Sequence, residues 1–296
     1  MILNNKYFKS IIVSIIFLYG CYSFSQTSDL LRVEYLNIPN SSSKNSVERF
    51  RGFFQLPLKI KENNFLIISG DYRTTNLEFN NVPFLTKDLE NIQRVEASIG
   101  YCLFKQEGWT YAINAGLRLA SNFAGRLVKD DYIYLANIYA IRDRTKDVAE
   151  GSKPNRLILG LNYTTTPGRD FPLPIINYYR EFHPDWTYTL GVPKTNIRYK
   201  ATKTNHIQAF LTLDNFHANI QKNVIVDNKL AEHMSMTTIL AGIGYEHYFT
   251  DHLLYYGYLA YTVSNDHRLR DNERNDIYTF EDQPSVYFRT GIKFKI

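Results

Sequence analysis

Ser285-Val286-Tyr287-Phe288-Arg289-Thr290-Gly291-Ile292-Lys293-Phe294-Lys295-Ile296, the last twelve residues, decide the fold. Val286, Phe288, Thr290, Ile292, Phe294 and Ile296 fall on one face of an extended chain, because successive side chains of a strand point to opposite sides. Ser285, Tyr287, Arg289, Gly291, Lys293 and Lys295 fall on the other. Soluble strands usually run about five or six residues. Unbroken alternation over twelve fits the ~9–11 residues of a tilted strand crossing a bilayer, with its apolar face toward lipid.

The same period returns upstream. Phe50, Gly52, Phe54, Leu56, Leu58 and Ile60 alternate with Arg49, Arg51, Gln55 and Lys59. Val95, Ala97, Ile99, Tyr101 and Leu103 alternate with Arg94, Glu96, Ser98 and Gly100. Comparable runs follow at Tyr111–Leu119, Ile197–Ala201 and Ile207–Leu213. The connections sort into two kinds. Glu62-Asn63, Gln106-Glu107-Gly108, His183-Pro184-Asp185 and Thr250-Asp251 are short, whereas 39–46, 76–91, 216–232 and 265–283 are long and polar. Short turns on one side and long loops on the other are the habit of outer-membrane barrels. Candidate strands lie near 30–38, 47–60, 64–76, 93–105, 109–121, 131–141, 156–165, 174–182, 186–191, 195–201, 204–215, 235–249, 252–264 and 285–296. Asp131 to Ile141 also reads as helix or loop, and Trp186 to Ala201 as one bent strand interrupted at Gly191 and Pro193. The expected fold is therefore all-β: an antiparallel up-and-down transmembrane β-barrel of 12–14 strands.

Composition excludes other classes. The 296 residues are 44% hydrophobic, 15% aromatic and 21% charged, too aromatic for a disordered chain. Mean hydropathy is −0.31, and no apolar run reaches the roughly 18 residues of a membrane helix. Residues 1–25 read as a secretory signal peptide: Lys6 and Lys9 precede the apolar Ile11–Leu18, and Ser23 and Ser25 suit cleavage before Gln26. Leu18-Tyr19-Gly20-Cys21 is a distorted lipoprotein box, with the bulky Tyr19 against it. Residues 26–296 read as one barrel domain. After cleavage Cys102 stands alone, so no internal disulfide is expected. The net charge of +5 falls further with Lys6 and Lys9 gone, too mild to imply nucleic acid as a partner.

The final eight residues resemble the C-terminal assembly signal of outer-membrane barrels, carried by Gly291, Phe294 and Ile296, although an aromatic is commoner at the last place. The resemblance implies that barrel-insertion machinery is a partner and reads this strand. Pro172-Leu173-Pro174-Ile175-Ile176-Asn177-Tyr178-Tyr179-Arg180, His183-Pro184-Asp185-Trp186 and Leu190-Gly191-Val192-Pro193 look like a small outer-membrane barrel family of unknown function from Gram-negative bacteria. That resemblance implies a barrel and brings no catalytic or binding residue. Taken residue by residue, Pro184-Asp185 suits a type I turn, and Trp186, Tyr178 and Tyr179 suit the membrane interface.

No catalytic, cofactor-binding or metal residue is assigned. His183, His206, His217, His233, His247, His252 and His267 form no HExxH, and no G-x-S-x-G elbow occurs. His267 with Asp271, Glu273 and Asp276 is the best rim constellation for activating water, but a polar loop supplies such groups by chance. The informative residues are the polar members of the alternation. Arg49, Arg51, Arg73, Glu96, Arg118, Arg198, Lys200, Glu246 and Arg289 are expected to line the lumen, with Asp71, Arg94 and Lys293 beside them. Buried charge is costly unless paired or hydrated, so the interior is either a water-filled channel or a salt-bridged plug. A basic surplus reached by water favours anions. The expected function is a passive or gated outer-membrane conduit for small anionic solutes, not an enzyme and with no cofactor. The alternative is a plugged barrel that binds partners through its long loops. Outer-membrane lipid is the expected surrounding.

Overall fold

A computed structural model describes residues 29–39, 45–80, 82–104, 108–145, 152–166, 171–280 and 284–295. The export segment, Cys21 and Ile296 lie outside the described residues. The strands are β1 (Asp29–Ile38), β2 (Ser46–Lys61), β3 (Asn64–Glu78), β4 (Asn91–Phe104), β5 (Trp109–Ser121), β6 (Tyr132–Arg144), β7 (Asn155–Thr164) and β8 (Leu173–His183). They continue as β9 (Trp186–Gly191), β10 (Lys194–Lys200), β11 (Asn205–Val226), β12 (Lys229–Tyr248), β13 (Leu253–Arg270), β14 (Asp276–Thr279) and β15 (Val286–Lys295).

Each long strand pairs antiparallel with the next, β12 pairs with β13, and β15 pairs with both β13 and β1. The sheet thus closes on itself as a 14-strand barrel, with β14 an extra short strand laid on the outer end of β13. Closure leaves no open edge, the condition for a sheet to stand in hydrocarbon. The outside is apolar all round: Val33, Phe54, Ile99, Ile113, Ile138, Leu211, Ile243, Leu259 and Ile292 are exposed. Their inward neighbours are polar over most of the wall, the arrangement of an outer-membrane barrel. Trp109 stacks on Tyr111, and Trp186 lies 4.7 Å from Tyr199, both near the end that carries the short turns. Tyr178 contacts Tyr188 on the same face, but Tyr179 points inward, 5.8 Å from the Arg156 guanidinium, because it follows Tyr178 in an alternating strand.

Both uncertain segments are strands. Asp131 ends a single 3-10 turn and β6 follows it, while Gly191 to Pro193 form the tip of the short β9–β10 hairpin, which makes the count fourteen. Two expected loops are structured. Residues 216–232 continue β11 and β12 as a ribbon joined at Asp227-Asn228, and 265–270 continue β13. Asp227 and Asn228 both have positive φ, 48° and 61°, the left-handed pair that matches the twist of a two-residue hairpin.

That ribbon bends over the outer mouth. The β11–β12 register slips between Asn219 and Val224, where Lys222 has a φ of 61°, as at a bulge. Asn219 reaches the far wall and pairs in parallel with Ser121 of β5. Beneath it the interior turns apolar: Leu89, Ile133, Ala218, Ile220 and Met234 are almost wholly buried in one cluster. A lid that excludes water explains why the strict polar-inside rule ends at this height.

Candidate functional site

The site is the barrel interior, built of four parts. At the outer mouth, the ribbon is latched by amides. Asn219 Nδ2 and Gln221 Nε2 donate to the two oxygens of the buried Asp131 carboxylate, at 2.8 and 2.6 Å. Gln221 Oε1 accepts from the Gly125 amide at 2.6 Å, and Asn122 Nδ2 donates to the Gln221 carbonyl at 3.1 Å. Among the described residues the Asp131 carboxylate is met by amide donors and by no cation, an arrangement that desolvation makes costly to half-break.

Below the lid, Asp214 of β11 ties the two sides of the barrel together. It accepts a two-pronged bond from Arg49 of β2, at 3.0 and 2.5 Å, and further bonds from Arg289 Nη2 at 2.7 Å and the Tyr287 hydroxyl at 3.0 Å. β2 and β11 are not neighbours, so this brace crosses the lumen.

The third part is a belt of guanidinium groups on β2 to β5. Arg51, Arg73 and Arg94 sit side by side in register, with Arg118 opposite Glu96. Asp71 accepts from Arg51 and Arg73 at 2.7 and 2.8 Å, and Glu96 accepts from Arg118 at 2.8 Å and also pairs with Arg94. Four guanidiniums therefore share two carboxylates. Toward the short-turn end this wall becomes a ladder of small polar side chains, Ser69, Ser98, Asn114, Asn137 and Asn162, each bonded to the next. All face inward yet keep partial exposure, so water reaches this half of the interior.

The opposite wall is aromatic and basic. Glu246 pairs with Arg198 at 3.1 Å and accepts from Gln208 and the Tyr258 hydroxyl. The Tyr256 hydroxyl donates to Glu34 at 2.6 Å. Lys200 sits at the short-turn rim, 3.2 Å from Glu181. Lys194 and Lys293 lie over tyrosine rings.

All nine charges expected in the lumen point inward and are ion-paired; Arg49 and Glu246 are buried, and the other seven are half-buried. Of their partners, Asp71, Glu96 and Glu246 are expected inward, whereas Asp214 and Glu181 are not singled out by the sequence. Glu34, Lys194, Tyr256 and Tyr287 carry no sequence signal beyond an inward position in an alternating strand. The signal for the lid was also present: Asp227-Asn228 between Val224-Ile225-Val226 and Leu230 is a hairpin-turn pattern. Gly291 lies where a side chain would collide with the Val33 carbonyl oxygen and come within 2.7 Å of the Tyr256 hydroxyl; Phe294 is exposed on the outer face.

His267 is not in a loop and does not converge with the nearby acids. It belongs to β13 and lies among Phe79, Phe216 and Phe280, whereas Asp276 faces outward to Arg268 and Arg270. Burial alone lowers its pKa to about 3, so the ring is neutral.

Among solved structures, the chain is similar to a NanC porin at 11% identity (TM-score 0.38, 90% of this chain and 100% of that one). It is also similar to the COG4313 outer membrane channel from Pseudomonas putida F1 at 10% identity (TM-score 0.41, 93% and 98%). LpxR from Salmonella typhimurium is similar at 8% identity (TM-score 0.39, 90% and 99%). No family model and no curated protein matches the chain.

Proposed function

We propose that the protein is a gated conduit for small anionic solutes across the outer membrane, with the β11–β12 ribbon as its outer gate. One observation carries the reading: among the described residues, Arg51, Arg73, Arg94 and Arg118 share two carboxylates, Asp71 and Glu96, at one level of a water-reached interior. Such a surplus raises the local concentration of anions and repels cations. The reading assigns no catalytic step and no cofactor. It takes residues 1–25 as the export signal, and β15, which closes the barrel between β13 and β1, as the strand read by the insertion machinery.

The test is conductance of the refolded chain in a planar bilayer, with heat-modifiable gel mobility as proof of folding. The wild type should open rarely. Asn219→Ala with Gln221→Ala should open it more often, and Arg94→Gln with Arg118→Gln should reduce its anion preference. A folded, latch-free barrel that carries no current would refute the conduit.

The Asp214 brace favours a second reading, a plugged barrel that binds partners through its outer segments near 76–91, 216–232 and 265–283. Under it, removing the ribbon tip abolishes partner binding and leaves the bilayer silent.

A further inference from the structure

We infer that Lys194 and Lys293 form a binding site in the barrel interior for a small oxyanion, a carboxylate or a phosphate. Among the described residues, the acids of that wall are already engaged. Glu246 holds Arg198, Gln208 and Tyr258. Glu34 accepts from Tyr256 and lies 3.9 Å from Arg289. Asp214 is filled by Arg49, Arg289 and Tyr287.

Among the described residues, Lys194 has no carboxylate partner and Lys293 has only one long ion pair. The Lys194 ammonium sits 4.8 Å from the Phe210 ring centre and 4.6 Å from that of Tyr258. Lys293 sits 4.6 Å from the Tyr256 ring, and its nearest carboxylate oxygen, at 3.8 Å, belongs to Asp29, already paired with Arg32. Tyr256 and Tyr258 project from the same face of β13 with ring centres 4.9 Å apart, so both ammonium groups border one stretch of lumen. Ring faces attract cations but do not neutralise them, and an ammonium offers three donors that a ring cannot all satisfy. Neither lysine is wholly buried, so water reaches both.

A ligand with several acceptor lone pairs answers both ammonium groups together. The rings hold the lysine stems, so little side-chain freedom is lost when the anion arrives. This inference rests on the conduit reading for its physiological sense, since the site would be a resting place on the anion's way through.

The experiment separates binding from conduction. Acetate and inorganic phosphate are titrated calorimetrically into the refolded full-length barrel in detergent, at constant ionic strength, alongside Lys194→Met, Lys293→Met and Lys194→Arg. The wild type and Lys194→Arg should bind at least one of the two anions, and each methionine variant should bind about tenfold more weakly, the loss expected of one charged hydrogen bond. Binding unchanged in both methionine variants overturns the site, as does absence of binding by a folded wild type or binding of chloride with both oxyanions excluded. If the methionine variants do not fold, Lys194→Gln and Lys293→Gln take their place, and binding unchanged in both overturns the site. Binding without any bilayer current would sink the conduit and leave the site standing. Anion-selective current without oxyanion binding would do the reverse.

Discussion

Asp214 is the residue on which the interior depends most. Its carboxylate is the shared acceptor of Arg49, Arg289 and Tyr287, so its loss leaves two inward guanidiniums without that partner. Removing one partner of a buried pair typically costs about 3–5 kcal/mol. Asp214→Ala should therefore lower stability by that order in urea unfolding from lipid, and Asp214→Glu by less. An unchanged midpoint would show that water replaces the carboxylate. Gly291 makes a steric demand instead. An added methyl meets the Val33 carbonyl and the Tyr256 hydroxyl, and Gly291→Ala should cost about 1–3 kcal/mol through the forced shift. His267 sets a pH dependence. Its folded value of about 3 lies below the ordinary 6.5, so as pH falls through that window the unfolded cap binds a proton that the folded cap refuses. The outer cap should thus be most stable above about pH 6.5 and lose stability progressively toward pH 3. Hydrogen exchange of the β11–β12 ribbon should show that slope, and His267→Phe should flatten it.

At the scale of elements, the ribbon of β11 and β12 is held to the far wall by Asn219, Gln221 and Asp131. Asn219→Cys with Ser121→Cys places two thiols at paired backbone positions; oxidation should lock the mouth, and reduction should restore whatever current the wild type carries. Current that persists after full oxidation would remove the ribbon from the gating role. The elements also show what the sequence could tell. Strands such as β2 and β15 were legible because one face meets lipid, so a period of two is imposed on the side chains directly. The outer halves of β11 and β12 were not, because there the ribbon leaves the lipid and buries Ala218, Ile220 and Met234 against the opposite wall. Periodicity reports a local environment, whereas this one is made by residues about a hundred positions away, as with Gln221 and Asn122, whose separation is 99. The interior charges were legible as inward, but their pairing was not, since Arg49 and Asp214 meet only once the barrel has closed.

For the whole molecule, the apolar band must lie in lipid. Ile292 is exposed on the outer face of β15, and Ile292→Arg should destabilise the assembled barrel by about 2–4 kcal/mol if it lies near the bilayer midplane. A variant that assembles and extracts from membranes as the wild type does would mean that this face is not the lipid face. The wall is also uneven around its circumference. β9 has six residues and β10 seven, while β2 has sixteen and β3 fifteen. A bilayer meeting a low stretch of wall is pinched on that side, because hydrocarbon thickness adapts to the apolar height it touches. The surrounding lipid is then compressed along one sector and relaxed along the rest. Two such barrels in one membrane lower that strain by bringing their low sides together, a preference that should strengthen in thicker bilayers and fade in thin ones.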